Sequence, residues 1–153
     1  MKKTVFLLLA LMAAFASCDK VETDNGNETA NIAKNDSTFY YGTLIANASS
    51  GDCETPDTKV SINITDKADS VSITIFKAKL AQRMPAMDII IPNISVRKNE
   101  ETTVITSERA IPLAMGNEFP SYTVTEFTGE IKDNELTFSL KFGTTPTSFS
   151  GRR

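Results

Sequence analysis

Hydrophobic and polar residues alternate along most of the chain after residue 37, as in β-strands that have one buried and one solvent-facing side. The alternation is clearest in residues 58–65, 70–79 and 135–142, which are rich in β-branched and aromatic residues. Short polar segments between these stretches predict tight turns. The strands predicted in this way are residues 38–46, 58–65, 70–79, 87–97, 102–112, 121–131 and 135–142.

Two segments interrupt this pattern. Pro92 lies within the run 87–97 and predicts a break or a bulge there, because proline cannot donate a hydrogen bond to a neighbouring strand. Residues 77–83 have a helical composition, but Met84 and Pro85 end it, so at most one short helical turn is expected.

About eight short strands that are joined in sequence by turns indicate an all-β fold. Consecutive hairpins favour a single antiparallel up-and-down β-barrel, with a β-sandwich as the alternative. An immunoglobulin-like sandwich often carries a core tryptophan and a cysteine pair. This chain has no tryptophan and only two cysteines, Cys18 and Cys53.

The first eighteen residues have the features of a secretory signal. Lys2 and Lys3 precede an apolar run over residues 5–15, and small residues then lead to Cys18. This order resembles a bacterial lipoprotein signal, which implies cleavage before Cys18 and attachment of acyl chains such as palmitate to that residue. Secretion with Cys18 unmodified and a buried first helix are the alternatives.

The predicted organisation is therefore a cleaved signal peptide (1–17), a linker (18–36) and one β-barrel domain (37–153). Removing residues 1–17 leaves 14 basic and 19 acidic residues, a net charge of −5. This charge argues against a nucleic-acid partner, which requires a basic face. Five of the acids lie in residues 19–36, so we expect a flexible, acidic linker that cannot fold alone.

The residue types that carry most enzyme chemistry are scarce. The chain has no histidine, which excludes histidine-dependent triads and histidine metal sites. Cys53 has no partner once Cys18 is lipidated, and we expect it in a polar loop over residues 49–54. We therefore expect no cofactor, no metal and no enzymatic activity.

A pair of carboxylates remains as a candidate for glycoside hydrolysis. Glu126 and Glu130 lie on one face of a predicted strand, at a spacing of roughly 13 Å along it. This spacing exceeds the separation used by either class of glycosidase. A glycan hydrolase is therefore the least favoured function.

The predicted strand 121–131 has mixed faces rather than a clean alternation. Polar residues on an inward face would line a cavity or groove, with Tyr122 and Phe127 at its edge, and these two are the candidate ligand-binding residues. The alternative is an irregular strand in a barrel that its own side chains fill.

Several segments resemble a known family. They are residues 40–44 (YYGTL), 84–94 (MPAMDIIIPNI), 127–131 (FTGEI) and 136–142 (LTFSLKF), in this order behind a lipoprotein signal. The pattern resembles the calycin-like lipoproteins of Gram-negative gut bacteria, which implies a lipocalin-like barrel of about eight strands but no catalytic residues.

Together these features predict a lipid-anchored envelope protein of the outer membrane, on its periplasmic or surface-exposed face. Its barrel is expected to bind a small, mostly apolar ligand in a cavity of several hundred Å³. The alternative is an interaction module that meets an envelope protein or a host molecule. Ser37 and Ser70 resemble O-glycosylation acceptors, although both also fit turns or strand starts, which we favour.

Overall fold

The computed structural model describes residues 37–65 and 69–153. The predicted signal peptide (1–17), the lipidation site Cys18 and the predicted linker (18–36) lie outside the described residues.

Within the described residues the chain forms ten β-strands and one 3-10 turn, the latter at Pro120–Tyr122. The strands are β1 (Ser37–Ala48), β2 (Gly51–Ile64), β3 (Ser70–Ala78), β4 (Met87–Lys98), β5 (Thr103–Ala110), β6 (Leu113–Ala114), β7 (Asn117–Glu118), β8 (Val124–Lys132), β9 (Glu135–Phe142) and β10 (Thr145–Arg152).

Eight of these strands close into an antiparallel barrel. Their order around the barrel is β3-β2-β1-β10-β9-β8-β5-β4, and pairing of β3 with β4 completes the circle. The short hairpin β6–β7 is added to β4, where Ile89 pairs with Ala114. The prediction of a closed barrel rather than a sandwich is confirmed.

The antiparallel order gives the barrel two different ends. The start of β1, the end of β2, the start of β3 and the β4–β5 and β8–β9 turns lie at one end, which we call the open end. The longer β3–β4 connection lies at the opposite end, where Leu80 is buried and Met84 packs against the core. This connection forms bends and a turn closed by the hydrogen bond from the Met84 N–H to the Ala81 carbonyl, with no helix assigned among residues 79–86.

Two β-bulges explain irregular stretches of the sequence. The pairing of β3 with β4 shifts register opposite Pro92, where Asn93 has a φ of +58°, so the predicted interruption is a bulge within one continuous strand. The pairing of β8 with β9 shifts between Thr125 and Thr128, around Glu126, which has a φ of +53°. This second bulge lets Val124 and Phe127 both face the core, and it accounts for the mixed faces of this strand.

The core fills most of the barrel. Three aromatic rings stack at its centre, with centroid distances of 5.5 Å between Phe127 and Phe138 and 5.2 Å between Phe138 and Phe149. Gly129 lies opposite Phe138 in the strand pairing, and a Cβ at Gly129 would lie 2.8 Å from the Phe138 Cβ. A side chain at this position would therefore collide with the aromatic stack.

The last barrel strand, β10, was not among the predicted strands. Its sequence, TPTSFSGR, contains one large apolar residue, Phe149, so it lacks the alternation that identified the others. The other inward-facing side chains of β10 are small because neighbouring atoms leave little room for larger ones. At Gly151, for example, a Cβ would lie 2.5 Å from the Phe149 ring and 2.7 Å from the Tyr41 carbonyl oxygen. Tertiary packing, rather than local preference, makes this segment a strand.

β2 begins at Gly51, seven residues before the predicted start, and it includes Cys53. The expectation that Cys53 lies in a polar loop is wrong. Its side chain is buried, and Cys53 pairs with Ala46 across β1 and β2. The polar neighbours Asp52 and Glu54 are exposed on the other face of the strand, which is why the segment resembles a loop in sequence.

Candidate functional site

A cup lies among inward-facing side chains at the open end of the barrel. Its volume is about 170 Å³, which is smaller than the several hundred Å³ expected from the sequence. The cup is lined by Thr38, Tyr40, Ile62, Ile64, Val71, Val96, Lys98, Thr103, Ile105 and Ile131.

The strand register explains why these side chains meet. Val71 lies opposite Ile64 in the pairing of β2 with β3, and opposite Ile94 in the pairing of β3 with β4. Val96 pairs with Ile105 across β4 and β5. Because side chains at paired positions share one face of a sheet, these aliphatic groups all point into the barrel.

Ile64 is the exception in this inward-facing set, because 59% of its surface is exposed. It is the last residue of β2 and lies at the mouth of the cup. The three stacked phenylalanines are absent from the cup lining, so its apolar wall consists mainly of aliphatic side chains, with Tyr40 as its aromatic member. The sequence pattern could have indicated this site, because the inward-facing apolar residues Val60, Ile62 and Ile64 continue to the end of β2.

A few polar groups accompany the aliphatic wall. Lys98, Thr38 and Thr103 contribute to the lining near the start of β1 and the β4–β5 turn. Tyr40 lies deeper and is almost fully buried. Burial raises the pKa of the Tyr40 phenol above its ordinary value of 10.0, and the positive charge of Arg153 offsets part of this rise. The phenol is therefore protonated at neutral pH and can donate a hydrogen bond.

The two ligand-binding candidates from the sequence do not line this cup. Phe127 lies in the aromatic stack at the barrel centre, with 2% of its surface exposed. Tyr122 belongs to the 3-10 turn before β8, at the opposite end, and its ring stacks on Phe119 at a centroid distance of 4.7 Å. The structure does not bring the two residues together at one site, and ligand contact at either stays a prediction.

The two candidate carboxylates lie on the surface. Glu126 accepts a hydrogen bond from the Lys141 ammonium at 2.7 Å, and both side chains are largely solvent-exposed. Glu130 is exposed on β8, where it pairs with Thr137. Neither carboxylate belongs to the lining of the cup.

A second concavity lies on the outer surface of the barrel. It has a volume of about 530 Å³ and spans β1, β10, β9, β8 and β5. Its lining includes the half-buried Thr43 and five exposed hydroxyl-bearing residues, Thr128, Thr137, Ser139, Ser148 and Ser150. Such a row of short polar side chains is the solvated face expected for an antiparallel sheet.

The two candidate glycosylation serines begin strands, as the favoured reading predicts. Ser37 is the first residue of β1, and its hydroxyl donates a hydrogen bond to the Asn63 side-chain oxygen at 2.5 Å. Ser70 is the first residue of β3, and its hydroxyl oxygen is buried without a hydrogen-bond partner.

Metal-binding and membrane-spanning features were sought in the described part of the chain. Residues 37–65 and 69–153 contain no cluster of three or more His, Cys, Asp or Glu side chains that could hold a metal ion. No helix in the same residues is both long and apolar enough to cross a membrane.

Comparison with known proteins identifies the fold family. No curated protein and no solved structure matches the chain significantly. The family model for the calycin-like beta-barrel domain matches residues 37–151, which cover the barrel from the start of β1 nearly to the end of β10. The chain therefore belongs to the calycin-like beta-barrel domain family.

Proposed function

We propose that this protein is a membrane-anchored envelope lipoprotein whose barrel binds a small, mostly apolar ligand. The observation that carries the proposal is the exposure of Ile64 in a cup whose wall is mostly aliphatic. Leaving apolar surface in water costs about 25 cal/mol per Å². A ligand that covers the cup would recover this free energy, so the open end is the best-suited binding site of the barrel.

The size of the cup limits what it can hold. An engineered apolar cavity of about 150 Å³ accepts a molecule the size of benzene, whereas sites for drug-sized ligands span about 300–1,000 Å³. The cup, at about 170 Å³, suits one small apolar group or the end of a longer chain. Lys98 and the Tyr40 phenol add a cation and a hydrogen-bond donor for a polar substituent.

The anchor is proposed from the leader sequence. The basic start, the apolar run and the small residues before Cys18 support lipidation at that cysteine. More than one acyl chain gives stable anchoring without a spanning helix. We place the protein at the outer membrane of a Gram-negative bacterium, on its periplasmic or surface-exposed face.

We also propose that the protein is not an enzyme. The absence of histidine from the whole sequence removes imidazole acid–base chemistry. Glu126 is paired with Lys141 at the surface, where it is poorly placed to act as a proton donor in a closed site.

Native mass spectrometry of the protein purified from its own host tests the ligand proposal. We expect a small molecule to accompany the wild-type chain and to be lost in Ile64→Glu, which puts a charge into the cup. Ile45→Glu is the matched control, because Ile45 is a partly exposed isoleucine on the outer surface. A small molecule retained by Ile64→Glu would contradict binding in the cup.

An interaction module is the second candidate, and the outer surface of β1 and β2 favours it. Tyr41 is 55% exposed there, and the Lys59 ammonium lies 4.1 Å from the centroid of the Phe39 ring. Aromatic side chains and their cationic partners are common at protein interfaces. A stoichiometric envelope protein that is retained by Ile64→Glu but lost in Tyr41→Ser would support this function instead.

A further inference from the structure

The start of β1 and the mouth of the cup lie at the same end of the barrel. Ser37 is the first residue of β1, and the next residue, Thr38, lines the cup. All the chain that precedes the barrel must therefore join it at the rim of the cup. The β1–β2 and β9–β10 turns lie at the opposite end.

The length of the preceding chain limits how the barrel can approach an anchoring membrane. If Cys18 carries the anchor, residues 19–36 connect it to Ser37. Eighteen residues span at most about 60 Å when fully extended, and a flexible coil of that length has a typical end-to-end distance of about 25 Å. The twelve residues of β1 place the opposite end about 36 Å further along the strand. The point where residues 19–36 join the barrel therefore lies at its open end, which is one strand length closer to that attachment than the opposite end is.

We propose that the open end of the barrel faces the membrane and that the cup takes the end of an acyl chain from a lipid of that membrane. This inference rests on the proposed function, because it needs both the anchor at Cys18 and an apolar occupant. It adds the orientation of the barrel and the chemical class of the ligand.

The cup suits an acyl chain end better than a compact polar molecule. Its wall is built from branched aliphatic side chains of five strands, with Ile64 at the mouth. Its volume, about 170 Å³, accommodates only part of a lipid tail. The remainder would stay outside, where Lys98 can keep its stem along the apolar wall and its ammonium in water.

If residues 19–36 tether the barrel to the membrane, even a low-affinity contact between the cup and a lipid can be occupied. Joining two binding partners by a short linker turns the second contact into an intramolecular one, with an effective concentration in the millimolar range for short flexible linkers. A shallow cup can therefore be occupied at the membrane surface even though its intrinsic affinity is low.

The orientation is tested with the full-length lipidated protein, reconstituted in vesicles of phosphatidylethanolamine and phosphatidylglycerol. A fluorophore is attached at Glu100→Cys, in the β4–β5 turn of the open end, or at Thr144→Cys, in the β9–β10 turn of the opposite end. Both variants carry Cys53→Ala, so that the introduced thiol alone reacts. Lipids with a spin label near the headgroup should quench the probe at position 100 more strongly than the probe at 144. Equal quenching, or stronger quenching at 144, would overturn the orientation.

The ligand class is tested in the same vesicles with a phospholipid that has a photoreactive diazirine at the end of one acyl chain. We expect cross-links on the strand segments that contain Ile64, Val71 and Val96, and their loss in Ile64→Glu but not in Ile45→Glu. The quenching difference between positions 100 and 144 should persist in Ile64→Glu, which shows that this variant is folded and oriented. Cross-links confined to the outer surface around Tyr41, or to residues 19–36, would overturn the proposal.

The experiments distinguish failure of the proposed function from failure of this further inference. Protein that separates from the vesicles on flotation lacks the anchor, and both the proposed function and this inference then fall. Protein that stays on the vesicles and retains a host-derived small molecule, but shows no acyl cross-links in the cup, contradicts this inference alone.

Discussion

Gly129 and Phe138 face each other across β8 and β9, so close that a Cβ at position 129 would lie 2.8 Å from the Phe138 Cβ. The same added atom would lie 2.9 Å from Ile105 Cγ1. The absence of a side chain at Gly129 therefore lets Phe138 pack closely against β8.

The first prediction concerns this contact. Gly129→Ala should lower the free energy of unfolding by about 1–3 kcal/mol, because the added methyl group overpacks the core. Thr128→Ala, at the exposed neighbouring position, should change it by no more than about 0.5 kcal/mol. Urea unfolding followed by circular dichroism measures both. An unchanged urea midpoint for Gly129→Ala would contradict this prediction, because it would mean that the core accommodates the added methyl group.

The second prediction concerns β10, the strand that the sequence pattern did not reveal. Phe149→Ala should cost about 3–5 kcal/mol, because it removes one ring of the stack and leaves a cavity. Ser148 is exposed on the same strand, so Ser148→Ala is the control, with an expected effect within about 0.5 kcal/mol. Similar unfolding midpoints for the two variants would mean that β10 contributes little to the core.

The third prediction follows from the raised pKa of Tyr40. Above about pH 10 the unfolded chain loses the phenol proton while the folded barrel retains it, so the free energy of unfolding falls as the pH rises. Tyr40→Phe removes this contribution and should show a smaller loss of stability between about pH 9 and about pH 11. The comparison needs urea unfolding curves of both proteins at each pH. An equal alkaline loss in the two proteins would contradict the buried position of the phenol.

The fourth prediction concerns the anchor. Cys18→Ala should move the protein from the membrane fraction of its host to the soluble fraction, since it removes the thiol that we propose as the site of lipid attachment. Cys53→Ala is the matched control, because Cys53 is buried in the barrel and should leave the distribution unchanged. Fractionation and immunoblotting give the readout. Continued membrane retention of Cys18→Ala would count against lipid anchoring.

The sequence predicted the barrel because most strands alternate cleanly, and each hairpin follows its neighbour along the chain. It missed β10 because the inward positions of that strand, Thr147 and Gly151 among them, are small for reasons of packing that are not visible locally. It also led to a wrong position for Cys53, because a strand that carries polar residues on its outer face and one thiol inside resembles a loop.

The site was harder to predict than the fold. The mixed faces of residues 121–131 suggested a polar-lined cavity, whereas the structure shows a bulge around Glu126 that changes which side chains face inward. A bulge depends on cross-strand pairing, so no local pattern distinguishes it from a polar lining. The cup instead lies where Ile64 ends an ordinary apolar alternation.

The most direct test of binding in the cup is a methyl NMR titration of residues 37–153, which contain every described strand and the whole buried core, with decanol. Binding in the cup predicts saturable chemical-shift changes at the methyl groups of Ile64, Val71 and Val96, and none at Ile45 or Ile90 on the outer surface. Shifts confined to Ile45 and Ile90, or no saturable shift at the cup methyls, would contradict an apolar binding site at the open end.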